Sequence, residues 1–129
     1  MIFFRIRTTA IVHPEYLELA CTGLYSQAES HRVGDLAFRE AARANRNAVL
    51  IDVRKITGRV PGILERFDFG VRIAKHYRES EPRIRLAVLG TEPMIHPERF
   101  GELVARNRGA DARAFTDETM ALDWLVGRR

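Results

Sequence analysis

The sequence contains a single cysteine, Cys21, which excludes a disulfide framework within the chain. This scarcity favours a reducing compartment, and we expect a cytoplasmic protein. No apolar run approaches the roughly 20 residues that a membrane helix needs. The first segment, MIFFRIRTT, acquires charge too early to resemble a signal peptide. We therefore expect neither a membrane span nor a secreted, disulfide-bonded protein.

Lysine is almost absent, since only Lys55 and Lys75 accompany arginine among the 21 basic residues. Against 17 acidic residues this gives a net charge of +4, which on its own would favour nucleic-acid binding. The arginines are scattered among acidic residues, however, and no stretch alternates basic and aromatic side chains as a base-stacking surface does. We expect an ordinary solvated surface and no nucleic-acid partner.

Signatures of metal binding and catalysis are also missing. The four histidines are far apart, and no two have a same-face ligand spacing with a third nearby. Ser26, Ser30 and Ser80 lack the context of a nucleophile elbow. We expect no metal, no cofactor and no catalytic residue. A third and weaker hypothesis is an enzyme that uses Asp52 or Glu92, since each lies near the end of a predicted strand.

Strand and helix patterns alternate along the chain. This order predicts an α/β fold in one domain, residues 1–129, with a mostly parallel sheet and an antiparallel N-terminal strand. Strands are predicted at 2–8, 16–24, 47–58, 84–90 and 111–115, with a connection at 9–15. Four helices are predicted, at about 26–46, 62–78, 97–108 and 118–126.

The two faces of the predicted sheet differ in polarity. Positions 17, 19 and 21, then 49, 51 and 53, and 84, 86 and 88 are aliphatic apart from Cys21. The opposite registers mix charged residues with Leu50 and Leu89. We therefore expect the helices mainly on one face, while the other is open, partly covered or a contact surface. Leu50, Leu89 and Phe69, the last on the outer side of the second helix if Phe67 is core, are the predicted interaction residues.

Three stretches together resemble a STAS-type domain, the fold of sulphate-transporter and anti-sigma-factor-antagonist proteins. They are VLIDVRKITG (49–58), RLAVLG with PERFGELVARNRGA (85–110), and ARAFTDETMALDWL (112–125). The last is similar to the ending of small bacterial STAS-like proteins, which are related in fold to CRAL-TRIO lipid-transfer domains. The resemblance implies a β-α superhelix and a non-enzymatic regulatory or protein-interaction module.

The sequence departs from this family at one functional position. Anti-sigma-factor antagonists carry a phosphorylatable serine at the start of the helix after the central strand. Here the corresponding stretch is Arg59–Ile63, RVPGI, which has no hydroxyl, and the nearest is Thr57. The resemblance therefore does not extend to a switch controlled by phosphorylation at that position.

The best candidate binding site is the loop that joins the central strand to the second helix. Free amides at a helix start favour anions, although the loop matches neither the P-loop nor the dinucleotide motif and such a stretch is more often a plain turn. The candidate residues are Thr57, Gly58, Arg59 and Gly62, with Gly90 and Thr91 after the next strand.

Two functions from different classes stay open at this stage. A protein-interaction module, binding an unidentified protein or a second copy of the chain, requires a flat apolar patch. The alternative is a protein that binds a small apolar or anionic, lipid-like ligand. It requires a pocket, for which the sequence nominates Ile63, Phe67, Phe69 and residues near Thr91.

Overall fold

The computed structural model describes residues 5–127, and within them the chain forms five strands and four helices. The strands are β1 (Arg7–Val12), β2 (Leu17–Leu24), β3 (Ala48–Thr57), β4 (Arg85–Leu89) and β5 (Ala112–Phe115). The helices are α1 (Gln27–Arg43), α2 (Ile63–Glu79), α3 (Phe100–Asn107) and α4 (Glu118–Val126).

The strands lie side by side in sequence order, β1-β2-β3-β4-β5. β1 pairs antiparallel with β2, and every later pair is parallel. A parallel pair needs a crossover connection, and α1, α2 and α3 supply those crossovers in turn. The predicted α/β fold, with a mostly parallel sheet and an antiparallel N-terminal strand, is confirmed.

Three helices cover one face of the sheet. Because side chains alternate along a strand, Leu19, Ile51 and Leu86 all point to this face, where they are about 1% exposed. Full burial of such a side chain contributes about 1.5–3 kcal/mol each. The helices contribute to the same core through Val33 and Ala37 of α1, Ile73 of α2 and Ala105 of α3.

The fourth helix covers the other face. Ala121 and Leu125 of α4 pack on Leu50 and Leu89, which are 1% and 0% exposed. The expectation that Leu50 and Leu89 form a contact surface is therefore wrong. The charged residues of this register obscured a small second core in the sequence pattern, and α4 closes that core.

The first strand lies later in the chain than predicted. The structure places β1 at Arg7–Val12, whereas the alternation of Ile2, Phe4 and Ile6 predicted 2–8. The part of that prediction at residues 2–4 lies outside the described residues. β1 is an edge strand with little burial, and Ile11 and Val12 are 40% and 56% exposed. Because neither side of β1 is buried, its sequence shows no alternation of apolar and polar residues. The ends of the strand are set instead by its pairing with β2.

Alanine substitutions along β3 test whether both faces are buried. Leu50→Ala and Ile51→Ala should each cost about 2–5 kcal/mol, because these neighbours fill cores on opposite faces. Arg54→Ala, in the same strand but exposed, should cost less than about 1 kcal/mol. Urea unfolding measures all three. A Leu50→Ala variant as stable as Arg54→Ala would contradict the burial of this face under α4.

Candidate functional site

The start of α2 is held by a carboxylate from its own first turn. Gly62 occupies the N-cap position and has no side chain to accept a hydrogen bond from the free amides. The Glu65 carboxylate instead reaches back and accepts from the Gly62 amide at 2.8 Å. The Arg59 guanidinium donates to both oxygens of the same carboxylate, at 2.6 and 2.5 Å. Glu65 thus connects the loop to the helix.

This contact decides what the loop can bind. The hydrogen bonds from Arg59, and then the one from the Gly62 amide, lower the pKa of Glu65 to about 2. Glu65 is therefore ionised at neutral pH and places a negative charge where the helix dipole favours one. The anion that the sequence predicted for this loop is thus already supplied by the chain itself.

The remaining loop residues have structural contacts. The Thr57 carbonyl accepts from the Tyr25 amide at 2.8 Å, which ties the end of β3 to the end of β2. Gly58 has a φ of +98°, a conformation that other residues rarely adopt. The Arg59 guanidinium lies 5.0 Å from the centre of the Tyr25 ring, a cation–π contact. The loop is therefore a fixed turn.

Gly90 and Thr91 lie where β4 passes into the segment that leads to α3. A Cβ atom at Gly90 would stand 2.9 Å from both Ile95 and Val53, so glycine is needed for this segment to fold across the strand ends. The Thr91 carbonyl accepts from the Ile95 amide at 2.9 Å. Both residues shape the turn, and a binding role for either stays a prediction.

A cavity of about 150 Å³ lies between the sheet, α2 and the segment after β4. Strand residues Val53, Ile56 and Val88 line it on one side, and Phe69 and Ile95 line it on another. None of the six residues nominated for the candidate loop lines it, although their neighbour Pro61 does. The nominated pocket residues Ile63 and Phe67 do not line it either, whereas Phe69 does.

The two phenylalanines of α2 have the reverse of the expected orientations. Phe69 is half-buried and packs on the main core, so it is not an outward contact residue. Phe67 is 37% exposed, and the Arg108 guanidinium lies 5.0 Å from its ring centre. Successive side chains on a helix are about 100° apart, so Phe67 and Phe69 point to different sides. The apolar periodicity did not indicate which of these two sides faces the core.

The exposed apolar residues of α2 form a stripe at its start. Val60, Ile63, Leu64 and Phe67 are 43%, 54%, 75% and 37% exposed. Ile63, Leu64 and Phe67 lie within the helix at i, i+1 and i+4, a spacing that brings their side chains to one side of it, and Val60 lies in the loop just before the helix. We call these four residues the α2 stripe. On the neighbouring helix α3, Leu103 is also exposed, at 53%.

The residues considered for chemistry are occupied elsewhere. Burial would raise the pKa of Asp52, but hydrogen bonds from Arg54 outweigh it and hold that pKa below its usual range. Burial raises the pKa of the Cys21 thiol to about 12, so the reactive thiolate is not formed at neutral pH. Glu92 lies 3.6 Å from Arg99. Within residues 5–127, no three histidine, cysteine or carboxylate side chains are grouped to hold a metal ion.

Sequence reasoning missed Glu65 and the α2 stripe. A Gly-x-x-Glu spacing at the start of a helix is a weak form of the capping box, and it could have indicated that Glu65 reaches back. The stripe resembles a buried face in the sequence, because apolar spacing does not say whether a partner within the chain covers it. No helix in the described part of the chain combines the length and apolar content needed to cross a bilayer.

Comparison with solved structures finds the same arrangement elsewhere. The chain matches an anti-sigma factor antagonist from Mycobacterium paratuberculosis with a TM-score of 0.61 and 14% identity, over 93% of each chain. The chain has a STAS-type fold. It also matches an uncharacterized protein of the DUF3478 family, with a SpoIIAA-like fold, from Shewanella loihica; the TM-score is 0.52 and the identity 20%, over 97% of each chain.

The likeness is one of shape and extends over nearly the whole chain. No protein-family model matches the sequence, and no curated protein matches it. At identities of 14% and 20%, the STAS-type fold is what these two structures establish. Any function must therefore be argued from this chain's own surfaces.

The titration of Glu65 tests the geometry of the loop. Its side-chain carboxyl should titrate near pH 2 in the wild type, far below the ordinary value of about 4.3. A lowered pKa means that the carboxylate stabilises the fold at neutral pH and that this contribution is lost as the pH falls through the folded pKa. Carbon-detected NMR of the Glu65 carboxyl measures it directly.

The matched control for this titration removes the donor and keeps the carboxylate. In Arg59→Ala the inflection should rise toward the ordinary range, since the largest cause of the lowered pKa is gone. A wild-type inflection at the ordinary value, or one that Arg59→Ala leaves unmoved, would contradict the Glu65–Arg59 contact.

Proposed function

We propose that the protein is a non-enzymatic regulatory module that binds a partner protein through the α2 stripe. The observation that carries this proposal is the exposure of four apolar side chains at the start of α2, three on the helix and Val60 just before it, led by Leu64 at 75%. Helices that dock into a groove on a partner present apolar anchors on one side, one turn apart, as Ile63 and Phe67 are. Contiguous apolar surface of this kind on a soluble protein marks an interaction site more often than chance.

The fold likeness supports the same element. The Mycobacterium paratuberculosis protein is, by its name, an antagonist of an anti-sigma factor, so its target is a protein. In the family that the sequence resembles, the helix after the central strand bears the switch residue. In this chain that helix is α2, and the stripe lies at its start. Both observations support a protein partner for α2.

Regulation at this surface does not use the family's phosphorylation in this proposal. The stretch Arg59–Ile63 has no hydroxyl, and the negative charge at the helix start comes from the Glu65 carboxylate. A permanent carboxylate supplies charge without a kinase. We therefore expect that partner binding does not depend on phosphorylation of this stretch.

The absence of catalysis in this proposal is supported by the pairing of the candidate groups. Asp52 is bound to Arg54, Glu65 to Arg59, and the Cys21 thiol is held protonated by burial. The single buried, free cysteine suits the reducing cytoplasm, which we take as the compartment. A second copy of the chain is one partner that the stripe accommodates, giving a homodimer.

A charge placed in the stripe tests the proposal. Leu64→Glu should abolish partner binding and any self-association, because the ion would have to be desolvated in the contact. The matched control is Met120→Glu on α4, across the sheet, where the side chain is 62% exposed. Sedimentation velocity over a range of protein concentrations measures self-association, and affinity capture compares the proteins retained by each variant.

Salt separates an apolar contact from an ionic one in the same experiment. Binding through the stripe should survive 1 M salt, where the Debye length is about 3 Å. Complexes that Leu64→Glu leaves intact, or that Met120→Glu weakens equally, would contradict the stripe as the partner surface. Complexes that dissolve in salt while ignoring Leu64→Glu would assign binding to the arginines instead.

A further inference from the structure

The proposed function does not use the apolar cavity beneath α2. Its volume is about 150 Å³, and it lies at the carboxyl ends of β3 and β4. Its walls are mostly aliphatic and aromatic side chains from three directions. They include Val53, Ile56 and Val88 from the sheet, Phe69 and Ile73 from α2, and Ile95 from the segment after β4.

The cavity has the size and polarity of a site for a small apolar molecule. An engineered cavity of about 150 Å³ lined by aliphatic and aromatic side chains stays dry and binds benzene or xenon. Water would need two or more polar partners there, and nearly all of the surface that the lining residues expose to the cavity is apolar. A ring of benzene or toluene size fills such a volume, whereas a long acyl chain does not.

The charged side chains that border the cavity have partners within the chain, and the surface that faces the cavity is mostly apolar. A neutral apolar ligand fills this space and leaves all of these contacts in place. The contacts are Glu65 with Arg59, Arg66 with the Met94 and Pro93 carbonyls, Arg99 with the His96 carbonyl, Glu102 with the Ala114 amide, and Arg113 with the Trp124 ring.

The wall of the cavity is also the inner side of the α2 stripe. Pro61, Arg66 and Phe69 face the cavity, while Ile63, Leu64 and Phe67 on the same turns face outward. The buried residues of α2 begin only at Gly70. The first half of the helix is therefore held by few buried contacts, and segments of that kind open at low free energy.

We propose that this cavity is an effector site, which binds a small, neutral, apolar molecule and thereby stabilises the first half of α2. A ligand in the cavity makes apolar contacts with Phe69 and Pro61 and so favours the folded form of the helix start. The inference rests on the proposed function only in taking the outer side of this helix as the partner surface. In this proposal an apolar ligand takes the regulatory role that phosphorylation has in the family that the sequence resembles.

The test uses toluene as the probe and benzoate as its charged counterpart, on the full chain without a partner. With isoleucine methyl groups labelled, toluene should shift Ile73 and Ile95 in a saturable manner and leave exposed Ile11 on β1 unmoved. Benzoate should shift neither cavity residue. At toluene ten times above its dissociation constant, amide exchange at 66–69 should slow about tenfold, since the ligand binds only the closed form.

Two variants locate the binding in the cavity. Ala114→Leu places extra methyl groups against the cavity wall and should remove the toluene shifts. Ala10→Leu makes the same change on the exposed surface of β1 and should keep them. If Ala114→Leu does not fold, the comparison of toluene with benzoate on the wild type still decides the question.

Each contrary result overturns the inference in a defined way. No saturable shift with toluene, or equal shifts with benzoate, would show that the cavity is not a site for neutral apolar molecules. Saturable shifts without slower exchange at 66–69 would overturn the link to α2. Since no partner is present, these outcomes are independent of the Leu64→Glu experiment on the α2 stripe.

Discussion

The structure depends on the burial of β3 from both sides. Leu50 and Ile51 are neighbours in this strand, and each is 1% exposed, one under α4 and the other under the layer of α1, α2 and α3. Strand order places β3 at the centre of the sheet, so both cores meet on it. With both faces of β3 closed, the centre of the sheet offers no apolar surface to a partner. Exposed apolar side chains remain at the sheet edge, on β1 and at Leu24, and at the start of α2, where Leu64 is the most exposed at 75%.

That helix is the least firmly packed where it is most exposed. The second half of α2 contributes Ile73 and Ala74 to the core, and Gly70 lets α3 approach so closely that a Cβ would stand 2.8 Å from the Gly101 carbonyl oxygen. The first half is held mainly by the Glu65 carboxylate and by Arg66 on two carbonyls. The second half of α2 is therefore firmly packed, whereas its first half is free to open. Both proposals place the function in the first half.

The sequence predicted the fold well because its signals are local and repeated. The alternation of strands and helices and the aliphatic register around Ile51 both appear as expected. The candidate site was predicted less well, because exposure is a property of the assembled chain. Leu50 and Leu89 share a register with charged residues and are buried, whereas the α2 stripe has the spacing of a core face and is exposed.

Native-state hydrogen exchange, residue by residue and without ligand, tests the central claim most directly. The account predicts that amides of β3 exchange only through global unfolding, and that amides at 66–69 of α2 exchange through a local opening of much lower free energy. Amides at 73–77, which belong to the anchored half, should be protected nearly as well as β3. Equal protection along all of α2 would contradict an adjustable helix start, and with it the coupling between the cavity and the α2 stripe.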